Sequence, residues 1–166
     1  MFPPGLIIAI DHVGIAVADL DTAIAFYGEN FGFTLVHEEV NEGQGVREVM
    51  LAVGDSDTCL QVLAPLTSDS VLARFLDRSG PGLQQLAYRV TSIEAAMAAV
   101  AEQGMRLLYD EPRRGTADSR INFIHPKDAG GVLVELVEPA RTELSGRGEP
   151  SGVHPGLTSR GGEASA

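Results

Sequence analysis

The chain has 166 residues, 44% of them hydrophobic, and its 23 acidic residues against 12 basic ones give it a formal net charge of −11. This length and composition fit one domain with its own core, and no apolar run approaches the roughly 18 residues that a membrane span needs. We therefore expect no association with a membrane. Because the negative charge repels a phosphate backbone, we also expect no nucleic acid among the partners.

The N-terminus has no secretory character. Residues 1–6 contain neither a basic nor a long apolar segment, and the only cysteine, Cys59, cannot form an internal disulfide. Both features predict a cytoplasmic protein. We treat residues 1–6 as an extension that precedes the folded domain.

The first half of the domain predicts one strand, one helix and three further strands. Residues 7–17 alternate as a strand in which His12 shares a face with small residues. Asp19 is a predicted N-cap of a helix that ends before Gly32. Three more strands are predicted at residues 33–39, 46–53 and 58–65.

The same order restarts after a linker at residues 67–82. A strand is predicted at residues 84–90, and Thr91 and Glu94 have the spacing of a capping box that opens a helix. Residues 141–166 are rich in Gly, Ser, Glu and Pro, so we expect a disordered C-terminal tail. The remaining strands of the second half are predicted at residues 105–109, 120–125 and 132–137.

A sequence repeat supports two modules, at residues 7–66 and 83–140. Gln61 to Pro65 recurs as Glu135 to Pro139 at an offset of 74, and residues 11–17 align with residues 84–90 at an offset of 73. Two copies are too few for a solenoid. We therefore predict an α+β fold in which two tandem βαβββ modules form one curved mixed sheet. A pseudo-twofold axis would bring equivalent residues together across a central cleft.

Four polar residues at repeat-equivalent positions form the candidate site, and Glu48 lies on a neighbouring predicted strand. A carboxylate such as Glu135, between apolar neighbours, is costly to bury unpaired, which favours a compensating cation or hydrogen bonds. The small residues Gly14 and Ala16 beside His12 are expected to leave room for a ligand. The four residues are His12, Gln61, Gln85 and Glu135.

The paired modules resemble the vicinal oxygen chelate superfamily over residues 7–140. Within it, the details resemble the methylmalonyl-CoA epimerase family. The segments that carry this resemblance are residues 10–17, 45–48, 60–65 and 119–136.

The resemblance implies an isomerase of propionate metabolism that interconverts (2R)- and (2S)-methylmalonyl-CoA by proton transfer at C2, through a metal-stabilised enolate. Glu48 would be the base and Glu135 a candidate for the second catalytic group. A homodimer is also implied. The metal ligands implied for the central cleft are His12, Gln61, Gln85 and Glu135.

The implied ligand set is rich in oxygen, which favours Co²⁺, Mn²⁺ or a similar divalent ion. The sequence departs from the family at Gln84 and Gln85, where two adjacent histidines are usual, so the third ligand would be an amide oxygen. Two alternatives stay open: another metalloenzyme of the superfamily, such as glyoxalase I, and a small-molecule-binding module that needs no metal.

Overall fold

The structure, a computed structural model, describes residues 1–140, and the tail predicted at residues 141–166 lies outside the described residues. The first module contains β1 (Ile7–Ala16), α1 (Leu20–Phe31), β2 (Thr34–Asn41), β3 (Val46–Ala52) and β4 (Cys59–Pro65). Helix α2 (Val71–Ser79) connects it to the second module. That module contains β5 (Gly82–Val90), α3 (Ile93–Glu102), β6 (Arg113–Arg114), β7 (Arg120–Ile124) and β8 (Leu133–Glu138).

All eight of these strands belong to one mixed sheet with the order β2-β3-β4-β1-β5-β8-β7-β6. The equivalent strands β1 and β5 pair antiparallel at its centre, and each has the last strand of its own module as a parallel neighbour. If each strand of the first module is exchanged with its equivalent in the second, the result is the same order read from the opposite edge, so the two halves of the sheet are related by a pseudo-twofold axis. The predicted α+β fold with two related βαβββ modules is therefore confirmed.

Helix α1 covers the outer face of the first module. It begins after Asp19, whose side chain accepts a hydrogen bond from the backbone N–H of Thr22 at 2.8 Å, and it ends at Gly32 in the left-handed conformation. Both ends match the sequence prediction. No helix within residues 1–140 has the length and apolar character to cross a membrane. The core under α1 consists of Leu20, Ala23, Val49, Leu51, Val62 and Ala64.

Helix α3 covers the outer face of the second module, and its start differs from the capping-box prediction. Ser92, rather than Thr91, is the N-cap and accepts from the backbone N–H of Ala95 at 3.2 Å. The backbone N–H of Thr91 instead donates to the carbonyl of Leu6. Leu6 is 5% exposed and packs in the core under α3. The segment expected to be a mere extension thus contributes to that core.

The prediction of a strand at residues 105–109 is wrong. Only Leu107 forms an isolated bridge there, to Ile124 of β7. The side chain of Asn122 accepts a hydrogen bond from the backbone N–H of Tyr109 and donates one to its carbonyl. Because a side chain takes the place of the backbone partner, the ladder stops, and pairing with β7 resumes only at β6.

The inner face of the curled sheet has an apolar region at each end and polar residues at its centre. Helix α2, capped by Ser70, closes one end by packing Leu72 against Ala16, Val46 and Leu63. The other end is an apolar cluster of the second module that includes Ala87, Ile121, Phe123 and Val137. These two regions leave the central strands as the place for a site.

Candidate active site

The four repeat-equivalent polar residues meet at the centre of the inner face. Each comes from one of the four middle strands, β4, β1, β5 and β8, and each is at most 4% exposed. The Nε2 amide group of Gln85 is their common point. It donates to Glu135 Oε2 at 2.6 Å and to Gln61 Oε1 at 3.0 Å, and lies 3.5 Å from His12 Nε2. The convergence predicted from the repeat is present.

Gly14 allows this convergence. It lies opposite Gln85 in the β1–β5 pairing, and a Cβ atom on Gly14 would be 2.4 Å from Gln85 Cγ. Real contacts of this kind are not found, so only glycine lets the Gln85 side chain cross the strand here. The space expected beside His12 for a ligand is therefore used, at Gly14, by Gln85 itself.

The ring of His12 is held in one orientation by an ion pair that the sequence did not reveal. Its Nδ1 lies 3.0 Å from Asp11 Oδ1, and Asp11 Oδ2 accepts a hydrogen bond from Arg89 Nε at 2.6 Å. His12 Nε2 then faces inward, 3.0 Å from Glu135 Oε2. Burial lowers the pKa of His12, but the hydrogen bonds and charges of Asp11 and Glu135 outweigh burial and raise the pKa to about 9.

Glu48 joins the group from β3 and is 1% exposed. Its Oε2 accepts a hydrogen bond from Gln61 Nε2 at 2.8 Å, and its Oε1 accepts one from the hydroxyl of Thr116 at 2.9 Å. Burial raises the pKa of Glu48 to about 7, and the charges of Glu39 and Glu135 act in the same direction. A carboxyl group with this pKa can both take up and release a proton near neutral pH.

Three residues around Glu48 were missed by the sequence reasoning. Glu39 lies directly opposite Glu48 in the β2–β3 pairing, a register that could have been counted back from the hairpin turn. Asn41 is 4% exposed, and its side chain acts on Glu48 as a hydrogen-bond donor that lowers the Glu48 pKa, against the larger effect of burial. Thr116 lies in a loop of the second module, and nothing in the sequence places that loop against β3.

A cavity of about 380 Å³ opens beside the group. His12, Glu135, Met50 and Thr116 are among the residues of its wall. Its volume lies in the usual range for small-molecule sites. The more deeply placed side chains, those of Glu48, Gln61 and Gln85, contact this wall through Thr116 and Glu135.

Known proteins with a similar sequence and fold show which family has this arrangement. Residues 11–123 match the Glyoxalase/Bleomycin resistance protein/Dioxygenase superfamily. The crystal structure of methylmalonyl-CoA epimerase from Mycobacterium tuberculosis superposes with a TM-score of 0.82 at 56% sequence identity, over 87% of this chain and 97% of that chain. The chain belongs to the methylmalonyl-CoA epimerase family.

Other relatives agree. The ethylmalonyl-CoA/methylmalonyl-CoA epimerase of Cereibacter sphaeroides is 34% identical over 129 residues, which cover 76% of this chain and 95% of that protein. A variant of the Streptomyces coelicolor methylmalonyl-CoA epimerase, in complex with 2-nitronate-propionyl-CoA, is 45% identical with a TM-score of 0.78, over 81% of this chain and 99% of that one. The predicted vicinal oxygen chelate fold and the isomerase class are confirmed, and the non-enzymatic alternative is not.

Enzymes of this superfamily typically use a divalent metal ion. Within residues 1–140, no three His, Cys, Asp or Glu side chains form a metal site by themselves. The candidate donors include two amides, however. His12 Nε2 is an acceptor only when the ring is deprotonated there, which is the form that a bound cation requires. In that form His12 Nε2, Gln61 Oε1 and Glu135 Oε2 are three acceptors around the Gln85 amide group. Turning the Gln85 amide by 180° would replace its donor with an oxygen, and four acceptors facing one point require a cation.

The surroundings of His12 also suit a metal ligand. A histidine ligand usually donates its second ring N–H to a carboxylate, which fixes the ring and raises its basicity. Asp11 is in that position, 3.0 Å from His12 Nδ1. The donor set of the epimerase-family site therefore fits a divalent ion.

Proposed function

We propose that the chain interconverts (2R)- and (2S)-methylmalonyl-CoA by proton transfer at C2. One observation carries the proposal: two buried carboxylates, Glu48 and Glu135, belong to one hydrogen-bonded group beside a cavity of about 380 Å³. The similarity to named epimerases supplies the substrate, because one relative is bound to a propionyl-CoA analogue.

The reaction needs two acid–base groups. The C2 carbon lies between a thioester and a carboxylate, and loss of its proton leaves a planar enolate. Inversion requires that a proton leave from one face and return to the other. Glu48 and Glu135 are separated by the amides of Gln61 and Gln85, which hydrogen-bond to each other and each to one of the two carboxylates. Two groups held apart in this way suit opposite faces of one carbon.

The pKa of Glu48 fits a reversible proton transfer. A base works best when its pKa lies near the working pH, and a positioned base typically contributes about 10²–10⁴-fold to the rate. The Glu48 pKa of about 7 meets this condition. Glu48 is therefore proposed as the first base, and Glu135 as the group on the second face.

We propose that His12, Gln61, Gln85 and Glu135 hold a divalent ion such as Co²⁺ or Mn²⁺. When bound, such an ion supplies Lewis-acid stabilisation of the negative charge on the enolate. The donor set carries one formal negative charge, from Glu135, so the protein neutralises only half of a dication. Its three oxygens and one nitrogen favour the harder ions of this series.

Solvent exchange at C2 tests the function. The wild-type protein, incubated with (2S)-methylmalonyl-CoA in D₂O, is expected to form the (2R) epimer and to incorporate deuterium at C2, detected by mass spectrometry. Absence of both would refute the reaction. Glu48→Gln keeps the size of the side chain but cannot take up the proton, so exchange should fall by about 10²–10⁴-fold. Elemental analysis should show unchanged metal content, and exchange at the wild-type rate would exclude Glu48 as the base.

We also propose that the chain forms a homodimer and resides in the cytoplasm. The edge strand β2 supports self-association because Leu35, Val36 and Val40 are 47–57% exposed there. Light scattering tests the dimer, and a monomer at micromolar concentration would contradict it.

The single cysteine supports the proposed location in the cytoplasm. Cell fractionation tests it.

A further inference from the structure

We propose that Glu39 is a positioning residue for the epimerase reaction, because it ties the 114–117 loop of the second module to β2 and so holds Thr116 against Glu48. This inference rests on the proposed function and adds a residue that touches neither the cavity nor the four candidate metal ligands.

The carboxylate of Glu39 receives donors from both modules. Its Oε1 accepts a hydrogen bond from Arg114 Nη1 at 3.1 Å, and its Oε2 accepts one from the backbone N–H of Ala117 at 3.0 Å. His37, on the same strand, lies 2.6 Å from Oε2. Since β2 and β6 are opposite edges of the sheet, these contacts join the two edges across the inner face.

Thr116 lies between the two anchored residues Arg114 and Ala117. Its hydroxyl donates to Glu48 Oε1 at 2.9 Å and accepts a hydrogen bond from Gln61 Nε2 at 2.9 Å. Gln61 also binds the other oxygen of Glu48. Both oxygens of the proposed base are thus oriented, one of them by a residue whose own position depends on the loop.

The loop does not have a relaxed conformation of its own. Ala117 and Asp118 have φ angles of 53° and 58°, in the left-handed region that non-glycine residues rarely adopt. Such residues persist only where the surrounding structure holds them. Gly115 is packed so closely that a Cβ atom would lie 2.5 Å from Ile121 Cγ2. Within the turn, the backbone N–H of Gly115 donates to the carbonyl of Ser119, and Arg114 pairs with Asp118. Glu39 adds the contacts that attach the turn to β2.

The position of Glu39 opposite a second carboxylate makes its partners necessary. Like charges directly opposite each other on neighbouring strands are destabilising, and Glu39 is opposite the buried Glu48. A neutral residue there would avoid the repulsion. The carboxylate has a side-chain exposure of only 13%, and its charge is compensated by His37, by Arg114 and by the Ala117 N–H. Two of these three partners belong to the 114–117 loop, so the same contacts that offset the charge of Glu39 also fix the loop.

The test compares kcat and KM for methylmalonyl-CoA in Glu39→Ala, Glu39→Gln and the control Glu38→Ala. Glu38 lies on the same strand, but its partner is the half-buried Arg47 of β3, which contacts neither Thr116 nor the loop. Glu39→Ala is expected to lower kcat by about 10- to 100-fold, the usual effect of a small misplacement, with KM changed less than about threefold. Glu39→Gln should recover part of the loss because its amide oxygen can still accept from Ala117. Glu38→Ala should leave kcat unchanged.

A double-mutant cycle decides whether Glu39 acts through Thr116. If it does, Glu39→Ala adds nothing to Thr116→Ala, whereas multiplication of the two losses, or a kcat unaffected by Glu39→Ala, would overturn the proposal. Arg114→Gln is a second, exposed site for the same test if Glu39→Ala folds poorly.

Hydrogen exchange distinguishes failure of the inference from failure of the proposed function. An inactive wild-type protein would refute the function alone. Backbone amide hydrogen exchange at residues 114–118 should still become faster in Glu39→Ala and not in Glu38→Ala. Unchanged amide exchange in Glu39→Ala would refute the proposal that Glu39 holds the loop.

Discussion

Gly14→Ala should damage both stability and activity, because this position has no space for a methyl group. The added Cβ would lie 2.4 Å from Gln85 Cγ, where about 3.5–4.0 Å is the normal separation of carbon atoms. Cγ is near the base of the side chain, so a rotation at its end does not relieve the clash. Gln85 must leave its rotamer or the central β1–β5 pair must separate. Overpacking of this kind typically costs about 1–3 kcal/mol of unfolding free energy.

Activity should fall further than stability. Moving Gln85 removes its hydrogen bonds to Glu135 and Gln61, and a displacement of about 1 Å in such a group can lower the rate by about 10²-fold. Urea denaturation measures the first effect, and solvent exchange at C2 of methylmalonyl-CoA measures the second. A Gly14→Ala protein with wild-type unfolding free energy and wild-type exchange would refute the reasoning.

Two controls isolate the cause. Gly28 lies inside α1, where a Cβ atom would be 3.7 Å from the carbonyl oxygen of Phe33, an ordinary van der Waals contact. Gly28→Ala should therefore be neutral, or stabilising by up to about 1 kcal/mol through helix propensity. The double variant Gly14→Ala/Gln85→Ala removes the clash, because alanine at position 85 has no Cγ atom for the new Cβ atom to meet. It should regain unfolding free energy relative to Gly14→Ala while activity stays low.

Three other substitutions or conditions test the site. Gln85→His should bind Co²⁺ more tightly than the wild-type protein, because imidazole is a better ligand than an amide for this ion; calorimetric titration giving equal or weaker affinity would count against Gln85 as a ligand. Asp11→Asn should weaken metal binding by about 10–100-fold through loss of the carboxylate that orients His12, as measured by competition with a chelator. The rate should fall as the pH decreases through about 7, because burial raises the pKa of Glu48 and only its carboxylate form can accept the C2 proton; a kcat/KM profile that stays flat down to pH 5 would contradict this assignment.

The periodic parts of the fold could be predicted from the sequence. Alternation along β1, the Asp19 cap and Gly32 at the end of α1 are local features, and local hydrogen bonding decides them. The strand expected at residues 105–109 failed because a side chain, Asn122, replaced the backbone partner. The alternation of apolar residues at 105–109 is that of a strand, and it carries no information about which group will pair with the backbone of the segment.

The candidate site could be predicted in part, for a related reason. The repeat offset carried His12 onto Gln85 and Gln61 onto Glu135, so symmetry alone brought four residues together. Thr116 and Arg89 have no equivalent that symmetry could use. Thr116 contacts Gln61, 55 positions away, and Arg89 contacts Asp11, 78 positions away. These contacts exist only once the sheet has curled.

The exchange symmetry of the sheet gives every donor at the centre a counterpart in the other half of the gene. One codon change can therefore alter a single donor while its counterpart stays as it was, and His12 with Gln85 is a pair that now differs in this way. At the proposed metal site, a change of this kind would exchange one nitrogen donor for an oxygen donor, or the reverse, while the rest of the sheet stays as it is.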